Sequence, residues 1–440
     1  MNAVIGSFAA TWLGYFVLLA LLPIRYLSVE FADALVVLAI YVCLTVGCAL
    51  LLLSMPKRAD PPYRTRRIDQ PLNRTELDHL VVAGLLASAV GVALLAYVRL
   101  AVQGIDYSQG LAVARELWRV EGVEREGISS PLSIPAYGLG FFFLASTFVA
   151  HLHWEELGRW ARGVAVAGAL FFVAAHSILT GGRTVLLIQI SSFLAAASIR
   201  RDQGKKAFPG KSWRTVLFTS VTLVATFAYA LLIFSERAAA NVGATAELYV
   251  QGAIEYMGAS TTEAYMNIGT WPRPLAGVVQ LAILLGAYLT HSAGTLASVM
   301  EYTAHHGITV FGAAWNLLAR LNLATPGADD WALSGAFLSL PGAFWYQFGM
   351  SGVLAAAVAT GLCLGMAARY ARLSRGGGIS VGFAAGSLIT AMTSPLIFGP
   401  DIMAFPFMIL GYVGLAVYSR ILFGARNWWI AGRLCQLARM

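Results

Sequence analysis

Gly181-Gly182-Arg183-Thr184 stands between two apolar runs and concentrates more chemistry than any other four residues of the chain. A guanidinium in or near hydrocarbon is expensive without a partner, so an arginine at that depth is a functional candidate by default. The two glycines leave backbone N–H groups accessible, and Thr184-Val185-Leu186-Leu187 opens the next apolar run. A bidentate donor fork, free amides and a helix N-terminus together suit an anion. The alternative use of the same residues is a tight turn whose arginine snorkels to the membrane surface.

A long stretch, 235–342, adds Arg237, Arg273 and Arg320, the carboxylates Glu236, Glu247, Glu255, Glu263, Glu301, Asp329 and Asp330, and His291, His305 and His306. Trp345, Tyr346 and Tyr256, with Trp271, Trp315, Trp331, Tyr249 and Tyr265, offer faces on which a sugar could stack; anchoring in the membrane belt is their other use. Cations beside carboxylates at a lipid interface fit a lipid-linked diphosphate bearing a sugar. No metal is expected. His305 and His306 are adjacent, so their rings diverge, and the loops hold no HExxH or DxD element. His176 reads as a satisfied intramembrane histidine, and Asp401, in Gly399-Pro400-Asp401, as an ion-pair partner or a helix cap.

The elements that must position these groups follow from composition. Of 440 residues, 58% are hydrophobic and 12% charged, against about 45–50% and about 25% in a soluble domain. That excludes a soluble enzyme and a disordered chain. Cys43, Cys48, Cys363 and Cys435 show no metal or redox spacing. No basic residue precedes the first apolar run, so a retained span is expected there and not a cleaved leader. A bilayer core about 30 Å thick needs about 20 apolar residues in a helix. Such runs occur near 5–24, 32–54, 80–102, 133–152, 163–180, 184–199, 215–234, 343–367, 379–397 and 403–422. The predicted fold is an all-α polytopic membrane protein of about ten transmembrane helices, one domain over 1–440. The stretch 274–299 is read as re-entrant or membrane-hugging. Amphipathic patterns over 110–122 and in the C-terminal tail read as helices lying in the headgroup plane.

Charge orients the spans. The segments 54–79, 153–163, 200–214, 368–378 and 420–440 hold 21 of the 30 Lys and Arg but only 7 of the 22 acidic residues. The positive-inside rule makes that side cytoplasmic, with both termini inside and two sizeable outer loops, 103–132 and 235–342. Basicity then reflects topology and contact with membrane lipid, and nucleic acid is not implied. No repeat of broken helices marks an inverted-repeat transporter.

Three features resemble the Wzy-type polymerases of bacterial surface polysaccharide, such as O-antigen and enterobacterial common antigen polymerases. They are the Gly181-Gly182-Arg183-Thr184 step followed by a basic loop, the large loop after the next span, and an aromatic helix entry, Phe344-Trp345-Tyr346-Gln347-Phe348-Gly349-Met350-Ser351-Gly352. Gln347 stands where that family carries an acidic residue. The resemblance covers roughly 170–370 and implies a GT-C-like fold in a bacterial inner membrane. It implies metal-independent, cofactor-free, inverting transfer between undecaprenyl diphosphate-linked glycans at the periplasmic face, with a flippase and a chain-length regulator as partners. Arg183, then Arg320 and Arg273, would stabilise the leaving diphosphate, and Glu255, Glu263, His305 and Asp401 are the candidates to accept the hydroxyl proton; Gly181, Gly182, Arg237, His305, Tyr256, Trp345 and Tyr346 would bind substrate. Ligase-like transfer to a lipid A core and lipid-linked oligosaccharide flipping are the alternatives.

Overall fold

The computed structural model describes residues 2–55, 73–110, 113–114, 117, 131–180, 184–209, 246–301, 310, 318, 323, 338–373, 379–396, 404–419 and 421–422. Helices α1 (Ala3–Leu21) and α2 (Phe31–Ser54) flank a short strand β1 (Ile24–Tyr26), and α3 (Arg74–Tyr97) runs on into a π-helical turn, Val98–Val102. One apolar run divides at Phe141 into α4 (Ser133–Gly140) and α5 (Phe142–Leu152). Then come α6 (Arg159–Thr180), α7 (Thr184–Asp202), α8 (Ala246–Tyr256), β2 (Ala259–Thr261) and α9 (Glu263–Ile268). The remainder is α10 (Arg273–Met300), α11 (Leu340–Leu373), α12 (Ile379–Thr393) and α13 (Ala404–Ser419).

Eight helical stretches are long and apolar enough to cross a membrane: Ala3–Leu21, Phe31–Ser54, Arg74–Val102, Ser133–Leu152, Arg159–Thr180, Thr184–Asp202, Leu275–Met300 and Leu340–Arg369. The chain is a multi-pass, predominantly helical membrane protein. The runs at 379–397 and 403–422 form the shorter α12 and α13, of 15 and 16 residues. The run at 215–234, most of 110–122 and the C-terminal tail lie outside the described residues.

Local signals start the helices. The Asn2 side chain accepts from the Val4 N–H at 3.0 Å, and Asn73 with Glu76 forms a reciprocal capping box at the head of α3. Small residues then let the helices approach, as they must where lipid is as apolar as leucine. A methyl group added at Gly91 of α3 would sit 2.1 Å from the Gly140 nitrogen of α4. On the far side of Gly140, the His176 Nε2 of α6 is 3.0 Å from its carbonyl.

The basic segments converge on one end. Arg200 of α7, fully buried, donates to the carbonyls of His151, Leu152 and Lys206 and closes a bidentate pair with Glu155. The Ala3 N–H at the head of α1 donates to Asp202 at 2.8 Å, the Gly158 N–H to Asp78 at 2.8 Å, and Arg369 of α11 to the Leu52 carbonyl of α2 at 3.4 Å. Residues near 54, 74, 153–158, 202 and 369 therefore share what we term the Arg200 end.

At the opposite, Ser28 end, β1 pairs antiparallel with β2, Arg25 facing Ser260. The Thr262 N–H donates to the Pro23 carbonyl at 3.1 Å and the Leu27 N–H to the Gly258 carbonyl at 3.0 Å. Val250, Ile254, Tyr265, Ile268, Ile283 and Leu284 close a second, smaller core there, separate from the main one. The stretch 274–299 is one unbroken helix within α10, and its partners lie at this end. Gly286 meets Leu22, Thr290 bonds Tyr15 and Tyr26, Ser292 bonds Tyr15, and Glu301 at its C-terminus accepts from Ser28.

Candidate functional site

Chain direction brings the ends of several elements together at the Ser28 end. Helix α6 runs away from the Arg200 end and stops at Thr180, and α7 returns from Thr184. Gly181, Gly182 and Arg183 connect them and lie outside the described residues, as do Arg237, His305, Arg320 and Asp401. Arg273 begins α10, though its side chain is likewise outside the description. Glu255 sits exposed in the last turn of α8, and Tyr256 beside it is 76% exposed. Trp345 is half-buried against the main core and Tyr346 is buried in it.

A second arginine, which the sequence marked only as one of the sparse cations of this side, is built into the same end. Arg99 is 3% exposed, inside the π-helical turn that ends α3. Its Nη1 donates to Gln103 Oε1 at 2.6 Å and its Nη2 to the Tyr137 hydroxyl of α4 at 2.9 Å. The chain then turns at Gly104, φ +66°, into a 3-10 turn over Tyr107–Gln109 that Asp106 caps by accepting from the Ser108 N–H at 2.8 Å. The Tyr107 hydroxyl donates to the Leu179 carbonyl at 3.2 Å, one residue before α6 ends. Burial raises the Tyr107 pKa above that of a free phenol, and the nearby Arg99 charge opposes the rise. Residues 99–107 thus clamp the last turn of α6, which leads into the Gly-Gly-Arg step. The signal for Arg99 was available: it is an arginine within the run 80–102, close to its end.

Beneath Tyr137 lies a ladder of rings. Tyr137 stacks on Phe141 at 6.2 Å and on Phe407 of α13 at 5.8 Å, and Phe141 stacks on His176 at 4.5 Å. His176 is fully buried with its Nε2 on the Gly140 carbonyl, so it ties α6 to α4 and meets no solvent.

The third component is the entry to α11. Gly349 has φ +61° and ψ −152°, a backbone region open essentially to glycine alone, and the helix breaks there. The bend brings Gly352 against Phe344: a methyl added at Gly352 would lie 2.5 Å from the Phe344 carbonyl oxygen. Eight residues in a continuous helix would span about 12 Å, so Leu340–Phe348 folds back on the helix that follows it. Gln347 uses its Oε1 to accept the Val310 N–H at 2.9 Å, which pins the long stretch before α11 to the bend. A neutral amide serves that purpose as well as a carboxylate would. Among the described residues no group of three or more His, Cys, Asp or Glu could hold a metal ion.

The end carrying the Gly-Gly-Arg step therefore joins a buried cation, phenolic hydroxyls, a ring ladder and a broken helix entry. No protein-family model, curated protein or solved structure matches this chain.

Proposed function

We propose that the chain is an inner-membrane glycosyltransferase that polymerises undecaprenyl diphosphate-linked repeat units at the periplasmic face. One observation carries this reading. The ends of α6 and α7 that flank Gly181–Arg183 and the broken entry to α11 lie opposite the end where the basic segments gather. By the positive-inside rule the basic end is cytoplasmic and the Ser28 end faces the periplasm.

The chemistry needs little more than positioned charge. A hydroxyl of one repeat unit attacks the anomeric carbon of the growing chain. The bond from that carbon to the diphosphate oxygen breaks with inversion, and the hydroxyl proton passes to a carboxylate or histidine, with Glu255, Glu263, His305 and Asp401 the candidates. Undecaprenyl diphosphate leaves as an anion, so guanidinium groups set where that charge develops lower the barrier. Arg183 is the first choice for this role and Arg320 and Arg273 the next, and the Arg99 clamp holds the end of α6, three residues before Arg183 in the chain.

Purified protein in liposomes with lipid-linked repeat units should produce a ladder of chain lengths. Arg183→Ala should abolish the ladder in protein that still inserts and migrates as wild type, and Arg183→Lys should restore little, because a point charge lacks the planar fork. Movement of single units across the bilayer without lengthening would refute polymerisation.

A further inference from the structure

Helix α10 has the length and apolarity of a span, yet its two halves are built for different surroundings. From Thr290 to Val299 nearly every side chain is buried, including Thr290, His291, Ser292 and Thr295. Those polar groups are satisfied inside the protein: Thr290 by Tyr26, Ser292 by Tyr15 and by the Pro395 carbonyl, and Thr295 by the His291 carbonyl. From Leu275 to Leu289 one face is buried through Ala276, Gln280, Ile283, Leu284 and Ala287. The other face is an uncharged stripe at helical spacing, Leu275, Val278, Ala282 and Tyr288, with Leu275 and Val278 about half exposed and Leu285 at its edge, partly packed on the second core.

We infer that α10 does not cross the bilayer but lies against the lipid of one leaflet at the Ser28 end, with this stripe facing acyl chains. The places of its partners decide it: a helix of 28 residues reaches about 42 Å, and one that crossed would meet partners at both ends of the protein. The hydrogen bonds and close approaches described for α10 involve Tyr15, Leu22, Tyr26, Ser28 and Pro395, and the second core joins its first half to α8, α9 and β1. A contiguous uncharged stripe of this kind is a contact surface and not a solvated one. On α1 and α2, which pack with α10, Val17, Leu21 and Val36 are likewise apolar and exposed. Trp271 and Tyr288, both partly exposed, are the residue types that favour the headgroup boundary. Residues on either side of α10, near 270 and 301, then face the same compartment.

The experiment uses full-length protein in liposomes, with Cys43, Cys48, Cys363 and Cys435 replaced by alanine. Spin labels are placed one at a time through Leu275→Cys, Val278→Cys, Ala282→Cys, Leu285→Cys and Tyr288→Cys. Depth is read from collisions with oxygen against a water-soluble nickel chelate. All five labels should favour oxygen and lie at similar shallow depths. A crossing helix would instead show depth changing along the series by about 1.5 Å per residue, and that trend would overturn the inference. Preferential collision with the chelate would overturn it too, by showing the stripe in water. As an independent check, Thr270→Cys and Glu301→Cys should react with an impermeant maleimide from the same side, and opposite sides would be decisive against it. Neither readout depends on glycosyl transfer, so a failed polymerisation assay leaves this result unaffected.

Discussion

The Nη2 of Arg99 donates to the Tyr137 hydroxyl at 2.9 Å, and that bond fastens the end of α3 to α4 where both meet the last turn of α6. A guanidinium that is 3% exposed cannot be truncated cheaply, because its packing is lost and the half-buried Gln103 and Tyr137 lose a charged donor. Hydrogen bonds to charged groups are worth roughly 1.5–3 kcal/mol each. Tyr137→Phe should therefore lower stability by about 2 kcal/mol and Arg99→Ala by more, read as thermal unfolding in detergent. Arg99→Ala should also depress chain lengthening further than its stability loss accounts for, since the clamp sets the approach to Arg183. Unchanged melting in both variants would refute the clamp.

The bend in α11 makes two separable demands on glycine. At Gly349 the backbone is the obstacle, φ +61° with ψ −152°; at Gly352 it is space, with the Phe344 carbonyl in the way. Gly349→Ala should cost about 1–3 kcal/mol through strain alone. Gly352→Ala should push Leu340–Phe348 away from the following helix, which a spin-label pair at positions 345 and 355 would report as a longer distance. If Gly352→Ala left that distance and the melting temperature alone, the close packing of the bend would be wrong.

Length and composition made the spans readable, because a run of about 20 apolar residues has few other uses in water or lipid. The gathering of the basic segments at one end was legible from charge counts alone. Hydropathy is one-dimensional, however, and cannot distinguish a helix that pierces the bilayer from one that lies against a leaflet; α10 required its tertiary partners. The β1–β2 pair joins residues over two hundred positions apart through three-residue strands, too short to show an alternation. Arg99 passed as one cation among nine because its partner Tyr137 lies 38 positions away and carries no motif. Gly349 stood out within the aromatic helix entry, but the break in the helix there did not, because single glycines are common in membrane helices. The Gly-Gly-Arg step was conspicuous for the opposite reason, a charge against an apolar background.

Gln347 discriminates an anchoring role from an acid–base role at the head of α11. Its Oε1 accepts the Val310 N–H at 2.9 Å, and Val310 is buried. Gln347→Glu keeps the acceptor and should retain both stability and chain lengthening. Gln347→Leu leaves a buried N–H unsatisfied and should cost roughly 1–3 kcal/mol. The check is paired melting and ladder assays of the two variants. Equal loss in both, or a new pH dependence conferred by glutamate, would count against the anchor.

The Arg200 end should be the acid-sensitive one. The His153 ring, hydrogen-bonded at 3.0 Å, holds the Glu156 carboxylate down to about 2, with burial opposing and Lys205 assisting. Hydrogen bonds from Arg200 likewise hold Glu155 below the usual carboxylate range. A carboxylate depressed by folding contributes stability that is complete above its unfolded pKa, near 4.5, and lost as pH falls through the folded value. The window is therefore from about pH 4.5 down to about 2. Glu156 remains partly exposed, so solvent screening limits its share to the zero-to-1 kcal/mol range, roughly, of surface pairs. Arg200 is different, being buried and holding three carbonyls as well as Glu155. Glu155 is itself exposed, so the larger cost of Arg200→Ala is the carbonyls left without their donor, roughly 1–3 kcal/mol at neutral pH. Glu156→Gln should lose little at neutral pH and flatten the acid side of the melting profile. A wild-type melting temperature constant between pH 5 and pH 2, or a profile identical in Glu156→Gln, would show that these carboxylates do not govern acid unfolding.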